Sequence, residues 1–229
     1  MGMGPDFSQE MIRLHINVEA LLPEAERHIL QFVASRKGEG TSTLARAYAK
    51  VAAIEFRKRV LVLDADLGIF EQPHNGVLKR RNKLSAASDR SGDITLAEPS
   101  LMPEVAHDHL IDKSLVEPGE EPYFFLPAPM RQPTVASIGQ SFLMESLFAT
   151  LRERFDVVVV DSPPVHKSSY SLVIARQTDG LVLVVEATRT RWPVANSAKH
   201  TIIKAGGNVV GMVFNKRRAC IPSLLYKRF

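Results

Sequence analysis

Residues 28–53, HILQFVASRKGEGTSTLARAYAKVAA, decide the fold of this chain. The run HILQFVAS at 28–35 has the length and apolar character of a buried strand, and it leads directly into a loop that contains two glycines. From Thr41 onward, apolar residues return at helical spacing. A strand, a glycine loop and a helix in this order predict an anion site, because loop amides and a helix N-terminus both favour negative charge.

The loop differs from a complete phosphate-binding loop at one position. The motif G-x-x-x-x-G-K-[ST] sets a lysine against the β- and γ-phosphates and a hydroxyl on Mg²⁺. Here Thr41 occupies the lysine position, and Arg36 or Lys37 is the nearest replacement cation in the loop. Ser42 supplies the hydroxyl, with helix capping as its structural alternative. The residues predicted to contact a nucleotide in this loop are Lys37, Gly38, Glu39, Gly40, Thr41, Ser42 and Thr43.

Four more apolar runs predict the rest of a sheet. They are RVLVLDADL at 59–67, FDVVVVDSPP at 155–164, GLVLVVEAT at 180–188 and NVVGMVFN at 208–215. Helical spacing occurs at 9–22, after Thr41 and at 192–205. Continuous apolar strands that alternate with helices predict an α/β fold, with a mainly parallel sheet flanked by helices on both faces.

Acidic residues stand where two of these strands end. Ligands of such sheets bind beyond the carboxyl ends of the strands, where the glycine loop also lies. We therefore predict that Asp64 and Asp66 orient an attacking hydroxyl and that Ser42, Asp64 and Asp161 hold Mg²⁺. Asn215 ends the last strand and is predicted to contact an adenine edge, with turn formation as an equal alternative.

Length and composition favour one domain over residues 1–229. The chain is 45% hydrophobic with a net charge of +4, and its single cysteine excludes a disulfide within the chain and a cysteine zinc cluster. We expect an N-terminal helical extension at 1–27, a loosely structured excursion at 74–122 and a tail at 220–229. No apolar run reaches the ~20 residues of a membrane span, so we expect a cytoplasmic protein.

In their order along the chain, these segments resemble the bacterial tyrosine kinases of capsule and exopolysaccharide synthesis, the CpsD/CapB family. That family is a branch of the P-loop ATPases that also include the MinD and ParA proteins. The resemblance is carried by KGEGTST at 37–43, VLVLDADL at 60–67, YFFLPAP at 123–129, VVVVDSPP at 157–164 and the closing strands within 179–191 and 205–217.

The resemblance implies a P-loop kinase-like domain that uses ATP or ADP with Mg²⁺. It also implies a membrane polysaccharide co-polymerase, the chain-length regulator, as partner. A homo-oligomer and a peripheral position at the inner face of the cell membrane are implied as well. No specific nucleic-acid partner is expected.

Three departures from the family pattern bear on activity. The loop lysine is missing, and the helical motif E-x-x-R-x-x-R appears only in blurred form within residues 9–17. The tyrosine-rich tail is also missing, since the tyrosines are Tyr48, Tyr123, Tyr170 and Tyr226. Together the departures indicate a pseudo-kinase, or a weak ATP binder, that regulates exopolysaccharide synthesis.

Two alternatives remain for the function. The first is an active ATP-dependent protein-tyrosine autokinase in which the loop cation has been rearranged. The second is a ParA-like partitioning ATPase that binds DNA through basic clusters such as Lys79-Arg80-Arg81.

Overall fold

The computed structural model describes residues 5–65, 111–112, 115–127 and 138–217. Within these residues, six strands form one parallel sheet in the order β3-β2-β4-β1-β5-β6. The strands are β1 (His28–Ala34), β2 (Val60–Asp64), β3 (Phe124–Pro127), β4 (Val157–Asp161), β5 (Gly180–Glu186) and β6 (Val209–Asn215). The predicted parallel sheet is confirmed.

Helices cover both faces of this sheet, as the sequence predicts. They are α1 (Pro5–Glu19), α2 (Thr41–Ile54), α3 (Ile138–Arg154), α4 (Tyr170–Ala175) and α5 (Trp192–Lys204). α1 and α2 pack on one face, while α3, α4 and α5 pack on the other. Among the described residues, no helix is both long enough and apolar enough to cross a membrane.

The four valines of β4 show why the strands lack polar alternation. Val157 and Val159 belong to the core beneath α1 and α2, whereas Val158 and Val160 belong to the core beneath α3 and α4. Successive side chains of a strand point to opposite faces, so a sheet covered on both sides needs apolar residues at every position. Each buried valine contributes about 1.5–3 kcal/mol relative to an exposed one.

The sequence predicts five strands, and the structure adds β3 as a sixth. This strand has four residues, lies at the sheet edge beside β2 and includes Pro127. An edge strand tolerates proline because one row of its backbone groups needs no hydrogen-bond partner. In the sequence, however, the same proline argues against a strand, so β3 was not predicted. The apolar runs at 59–67 and 155–164 also form shorter strands than predicted, which end at Asp64 and Asp161.

Much of the predicted excursion and the whole predicted tail lie outside the described residues. Residues 111–112 and 115–122 are described, and Val116 forms an antiparallel bridge with Phe125 of β3. The proposed divisions of the chain at 1–27, 74–122 and 220–229 stay predictions.

The N-terminal helix α1 is joined to α2 by polar as well as apolar contacts. His15 is buried, and a hydrogen bond of 3.0 Å joins its Nδ1 to the hydroxyl of Tyr48. Burial lowers the pKa of His15, while the nearby Glu19 raises it by less. The blurred motif predicted for residues 9–17 therefore lies on a helix that packs against the core.

Candidate functional site at the carboxyl ends of the strands

Strand register brings the predicted acidic residues beside the loop. Asp64 on β2 stands opposite Asp161 on β4, and Asp161 in turn stands opposite Phe32 on β1. The loop starts at Ser35, just beyond that level. Asp64 is 9% exposed and Asp161 is 3% exposed. The structure thus brings the loop and two of the three predicted carboxylates together, while Asp66 lies outside the described residues.

Backbone geometry of the loop fits an anion cradle. Gly38 has φ +87° and Gly40 has φ +96°, conformations that residues with a Cβ rarely adopt. Gly40 is the N-cap of α2, and the first helical bond runs from the amide of Leu44 to the Gly40 carbonyl. The first amides of an α-helix have no partner within the helix, so those that begin α2 are available to an acceptor such as phosphate.

Ser42 does not cap the helix, which was the structural alternative to its predicted role as a Mg²⁺ ligand. The cap residue of α2 is Gly40, and no side chain makes a capping hydrogen bond. Ser42 is the second helical residue and is exposed. Its hydroxyl is therefore not used to start the helix, which leaves Mg²⁺ ligation as the role predicted for it.

Glu39 turns its side chain away from the loop opening and into the protein. The residue is 1% exposed, and its carboxylate accepts hydrogen bonds from the Ser35 hydroxyl at 2.9 and 3.0 Å and from the Arg36 amide at 2.8 Å. The Glu186 amide donates to it at 3.4 Å, and the Thr190 hydroxyl donates as well. Glu39, predicted to contact nucleotide, thus has a carboxylate that ties the loop to β5 and the segment after it.

Replacing Glu39 with glutamine should destabilise the protein by about 1–3 kcal/mol. The NH₂ group of glutamine cannot accept a hydrogen bond, so in one amide orientation the Arg36 N–H loses its acceptor and in the other the Glu186 N–H does. Urea unfolding measures the change. Glu121→Gln is the control, because Glu121 is 55% exposed in its ion pair with Lys50 and should contribute about 0–1 kcal/mol. Equal effects of the two substitutions would contradict the assigned role of Glu39.

Two residues at the end of β6 hold the loop from its other side. The Asn215 side chain donates from Nδ2 to the Glu39 carbonyl at 2.8 Å. The Lys216 ammonium donates to the Gly38 carbonyl at 2.5 Å and lies 3.3 Å from the Glu186 carboxylate. The adenine contact predicted for Asn215 stays a prediction, and the structure shows this side chain bonded to the loop.

The DSPP turn after β4 is held by a buried glutamine on β1. Gln31 is fully buried, and its Nε2 donates to the Ser162 hydroxyl and to the Ser171 carbonyl, both at 2.9 Å. The Ser171 hydroxyl donates to the Pro163 carbonyl at 2.6 Å. Asp161, which is the last residue of β4 and the first of DSPP, is thereby set between a fixed turn and the neighbouring strand β1.

These groups suit Mg²⁺ as part of a larger complex with phosphate. Carboxylate and hydroxyl oxygens are the ligands that Mg²⁺ prefers, and it usually keeps only one or two protein carboxylates alongside water and phosphate oxygens. Asp64, Asp161 and Ser42 make up such a partial set. Among the described residues, no group of three histidine, cysteine or acidic side chains forms a self-sufficient metal site.

Solved structures with the same fold include kinases and related ATPases. The chain superposes on the kinase domain of Escherichia coli tyrosine kinase ETK with a TM-score of 0.67 and 18% identity, covering 94% of this chain and 79% of that one. The MinD cell division protein of Aquifex aeolicus superposes with a TM-score of 0.53 and 17% identity, covering 88% and 72%. These similarities confirm the P-loop NTPase-like fold.

Sequence comparison indicates which of the proteins with this fold the chain resembles. No protein-family model matches the chain. Over 199 residues it is 25% identical to the tyrosine-protein kinase CpsD of Streptococcus agalactiae, in a match that covers 83% of this chain and 76% of that protein. The chain is similar in sequence to CpsD-like bacterial tyrosine kinases. The resemblance inferred from the motifs is confirmed.

The structure places the two cations predicted to replace the loop lysine at the surface. Arg36 and Lys37 are exposed, and Arg36 lines a cavity of about 460 Å³ together with His166 and residues of α5. The His166 ring donates from Nδ1 to the Ser35 carbonyl at the start of the loop. Neither cation is shown against the loop opening, so their replacement of the missing lysine stays a prediction.

Several residues that shape the site do not follow from motif reasoning. Gln31 is a polar side chain in the middle of the apolar run of β1, whose other polar residue, His28, stands at its start, and that isolation was a usable signal. Lys216 and His166 gave no such signal, because a lysine after a strand and a histidine after a proline pair are both ordinary surface residues. Their contacts depend on strand order, which brings β6 and the DSPP turn to the loop.

Proposed function

We propose that this chain is a regulatory, pseudo-kinase member of the CpsD-like group that binds ATP or ADP weakly. The observation that carries the proposal is a phosphate loop with its backbone cradle intact and Thr41 in the lysine position. The first feature supports anion binding and the second supports a loss of phosphoryl transfer.

The residues present fit a nucleotide with Mg²⁺. The amides at the start of α2 would hold phosphate oxygens, and Ser42, Asp64 and Asp161 would hold the metal ion. A bound Mg²⁺ would neutralise charge on the β- and γ-phosphates. Glycine at position 40 makes room for the Asn215 side chain that bonds to the loop, because a Cβ there would overlap Nδ2 of Asn215.

Affinity should be low because the loop lacks its lysine. A hydrogen bond to a charged group contributes ~1.5–3 kcal/mol, which corresponds to roughly ten- to over a hundredfold in binding. The loss in phosphoryl transfer should be larger, since charge that develops in the transition state is stabilised mainly by preorganised cations.

The tyrosines of the described residues are poor acceptors for autophosphorylation. Tyr48, Tyr123 and Tyr170 are 1%, 6% and 6% exposed. Burial raises the pKa of Tyr123 and of Tyr170 to about 12 in each case. A hydroxyl that must meet a phosphoryl group needs access to a nucleotide site, so burial supports the pseudo-kinase assignment.

The proposed role is to regulate or scaffold a membrane polysaccharide co-polymerase that sets chain length. A curated relative is named as a tyrosine-protein kinase, and the motif resemblance is to kinases of capsule and exopolysaccharide synthesis. Association with a membrane partner, and a homo-oligomer built through α1, are parts of this proposal.

One observation favours the active-kinase alternative. The Lys216 ammonium lies on the Gly38 carbonyl, so a cation does stand beside the loop. If that cation serves the phosphates, the protein is an autokinase with a rearranged loop cation.

Two measurements on the purified chain test the proposal. Calorimetric titration with Mg-ATP and Mg-ADP should give weak but saturable binding. Incubation with labelled ATP and Mg²⁺, followed by detection of phosphotyrosine, should give no signal. Robust labelling that disappears in Asp64→Asn would establish an active kinase instead, and the absence of any nucleotide binding would remove the nucleotide from the proposal.

A further inference from the structure

We propose that Asn215 and Lys216 are positioning residues of the phosphate loop, which aim its amides by holding its carbonyls. This inference rests on the proposed nucleotide binding. Asn215 donates to the Glu39 carbonyl at 2.8 Å and Lys216 donates to the Gly38 carbonyl at 2.5 Å. The two bonds fall on consecutive peptide units, so they act on one short stretch of the cradle.

Peptide geometry explains how a bond to a carbonyl aims an amide. A trans peptide unit is planar, with its C=O and N–H on opposite sides. A donor that holds the Gly38 carbonyl therefore points the Glu39 N–H the other way, and a donor on the Glu39 carbonyl points the Gly40 N–H the other way. Both carbonyls are bonded toward the end of β6, so both N–H groups are directed away from it.

The orientation of the Asn215 amide is itself fixed. Its Oδ1 accepts a hydrogen bond from the backbone amide of Lys216 at 2.8 Å. Since oxygen accepts and NH₂ donates, this contact leaves Nδ2 for the loop. Lys216 in turn has φ +56°, a left-handed turn that brings its side chain back over the strand end.

A third contact shows that β5 takes part in the same arrangement. Glu186 at the end of β5 stands opposite Asn215 of β6. Its carboxylate lies 3.3 Å from the Lys216 ammonium, and its amide lies 3.4 Å from the Glu39 carboxylate. The loop is therefore held by the Glu39 side chain on one side and by the Gly38 and Glu39 carbonyls on the other.

The Glu39 and Gly40 amides aimed in this way would bind the polyphosphate part of a ligand, whatever base is attached to it. A positioning role and an adenine contact therefore make different predictions for Asn215. Loss of positioning weakens the binding of any polyphosphate, whereas loss of an adenine contact weakens ATP alone. Inorganic tripolyphosphate with Mg²⁺ separates the two.

Calorimetry with Mg-ATP and Mg-tripolyphosphate on the full chain provides the test. In Asn215→Ala we expect both ligands to bind about three- to tenfold more weakly, by the same factor, as loss of one neutral hydrogen bond predicts. Lys216→Met should weaken both by roughly tenfold or more, and Lys216→Arg should restore most of the affinity. Asn208→Ala is the control, since its side chain donates to the Asp179 carbonyl at the opposite end of the strand and should leave both affinities unchanged.

NMR relaxation of the free protein supplies a readout that needs no ligand. The amides of Glu39 and Gly40 should have order parameters of about 0.85 in the wild type and in Asn208→Ala, and lower values in Asn215→Ala. Weakened ATP with unchanged tripolyphosphate would overturn the inference in favour of an adenine contact and leave the proposed function standing. Unchanged order parameters would overturn it independently of binding. A wild type that binds neither ligand, with order parameters that fall as expected, would instead remove the proposed nucleotide.

Discussion

Substituting lysine for Thr41 should tighten Mg-ATP binding by roughly ten- to a hundredfold. The cradle supplies backbone amides and the N-terminus of α2, and the one component missing is a cation near the β- and γ-phosphates. Calorimetric titration of both proteins measures the gain. Kinase turnover need not return, because the tyrosines of the described residues remain buried.

A lysine placed outside the loop provides the control. Thr201 is exposed in the last turn of α5, so Thr201→Lys adds the same charge away from the residues predicted to contact the nucleotide and should have little effect on affinity. The contrary result would be tight binding by the wild type, no gain in Thr41→Lys and loss of binding in Arg36→Ala or Lys37→Ala. That result would establish that another residue supplies the loop cation.

Gly40→Ala should reduce the free energy of unfolding by about 2–3 kcal/mol. The left-handed backbone costs a residue with a Cβ about 1–2 kcal/mol, and φ at Gly40 is +96°. The new Cβ would also overlap Nδ2 of Asn215, which breaks a hydrogen bond that contributes about 0.5–1.5 kcal/mol. Urea unfolding measures the loss, and Mg-ATP affinity should fall with it.

Alanine substitutions at two other glycines separate the cost of the left-handed backbone from the cost of the lost Asn215 hydrogen bond. Gly38 also has positive φ but nothing within 4 Å of its would-be Cβ, so Gly38→Ala should show the backbone cost alone. Gly211 in β6 has equally open surroundings and no positive φ, so Gly211→Ala should be neutral or stabilising. If Gly40→Ala and Gly38→Ala lose the same amount, Asn215 moves aside freely and its bond to the loop contributes little.

The sequence predicted correctly those elements whose signal lies within one short segment of the chain. β1, the glycine loop and α2 form one continuous segment, and each of its signals is local. The same holds for the valines of β4, whose unbroken apolar run requires cover on both faces. β3 was missed because a four-residue edge strand with a proline carries no distinctive period.

The parts of the site that were missed depend on contacts between distant segments. Asn215 was singled out correctly as a strand-end polar residue, but its bond to Glu39 spans 176 positions and no periodicity reports it. Glu39 was predicted to contact nucleotide because it stands in the loop, whereas its carboxylate turns inward to Ser35 and Thr190. A motif gives the residues of a loop, and the direction of each side chain depends on what packs behind it.

The strand order also sets when the phosphate loop can form during synthesis. β1 lies between β4 and β5, so His28 must wait for Val157 on one side and Leu30 must wait for Gly180 on the other. At ~5–20 residues per second, the ribosome needs on the order of ten seconds to supply these partners. During that interval β1 has neither of its neighbours in the sheet, so its apolar side chains and unpaired backbone groups are open to aggregation. Because β6 follows later still, Asn215 and Lys216 join the loop only after the rest of the central sheet has been made.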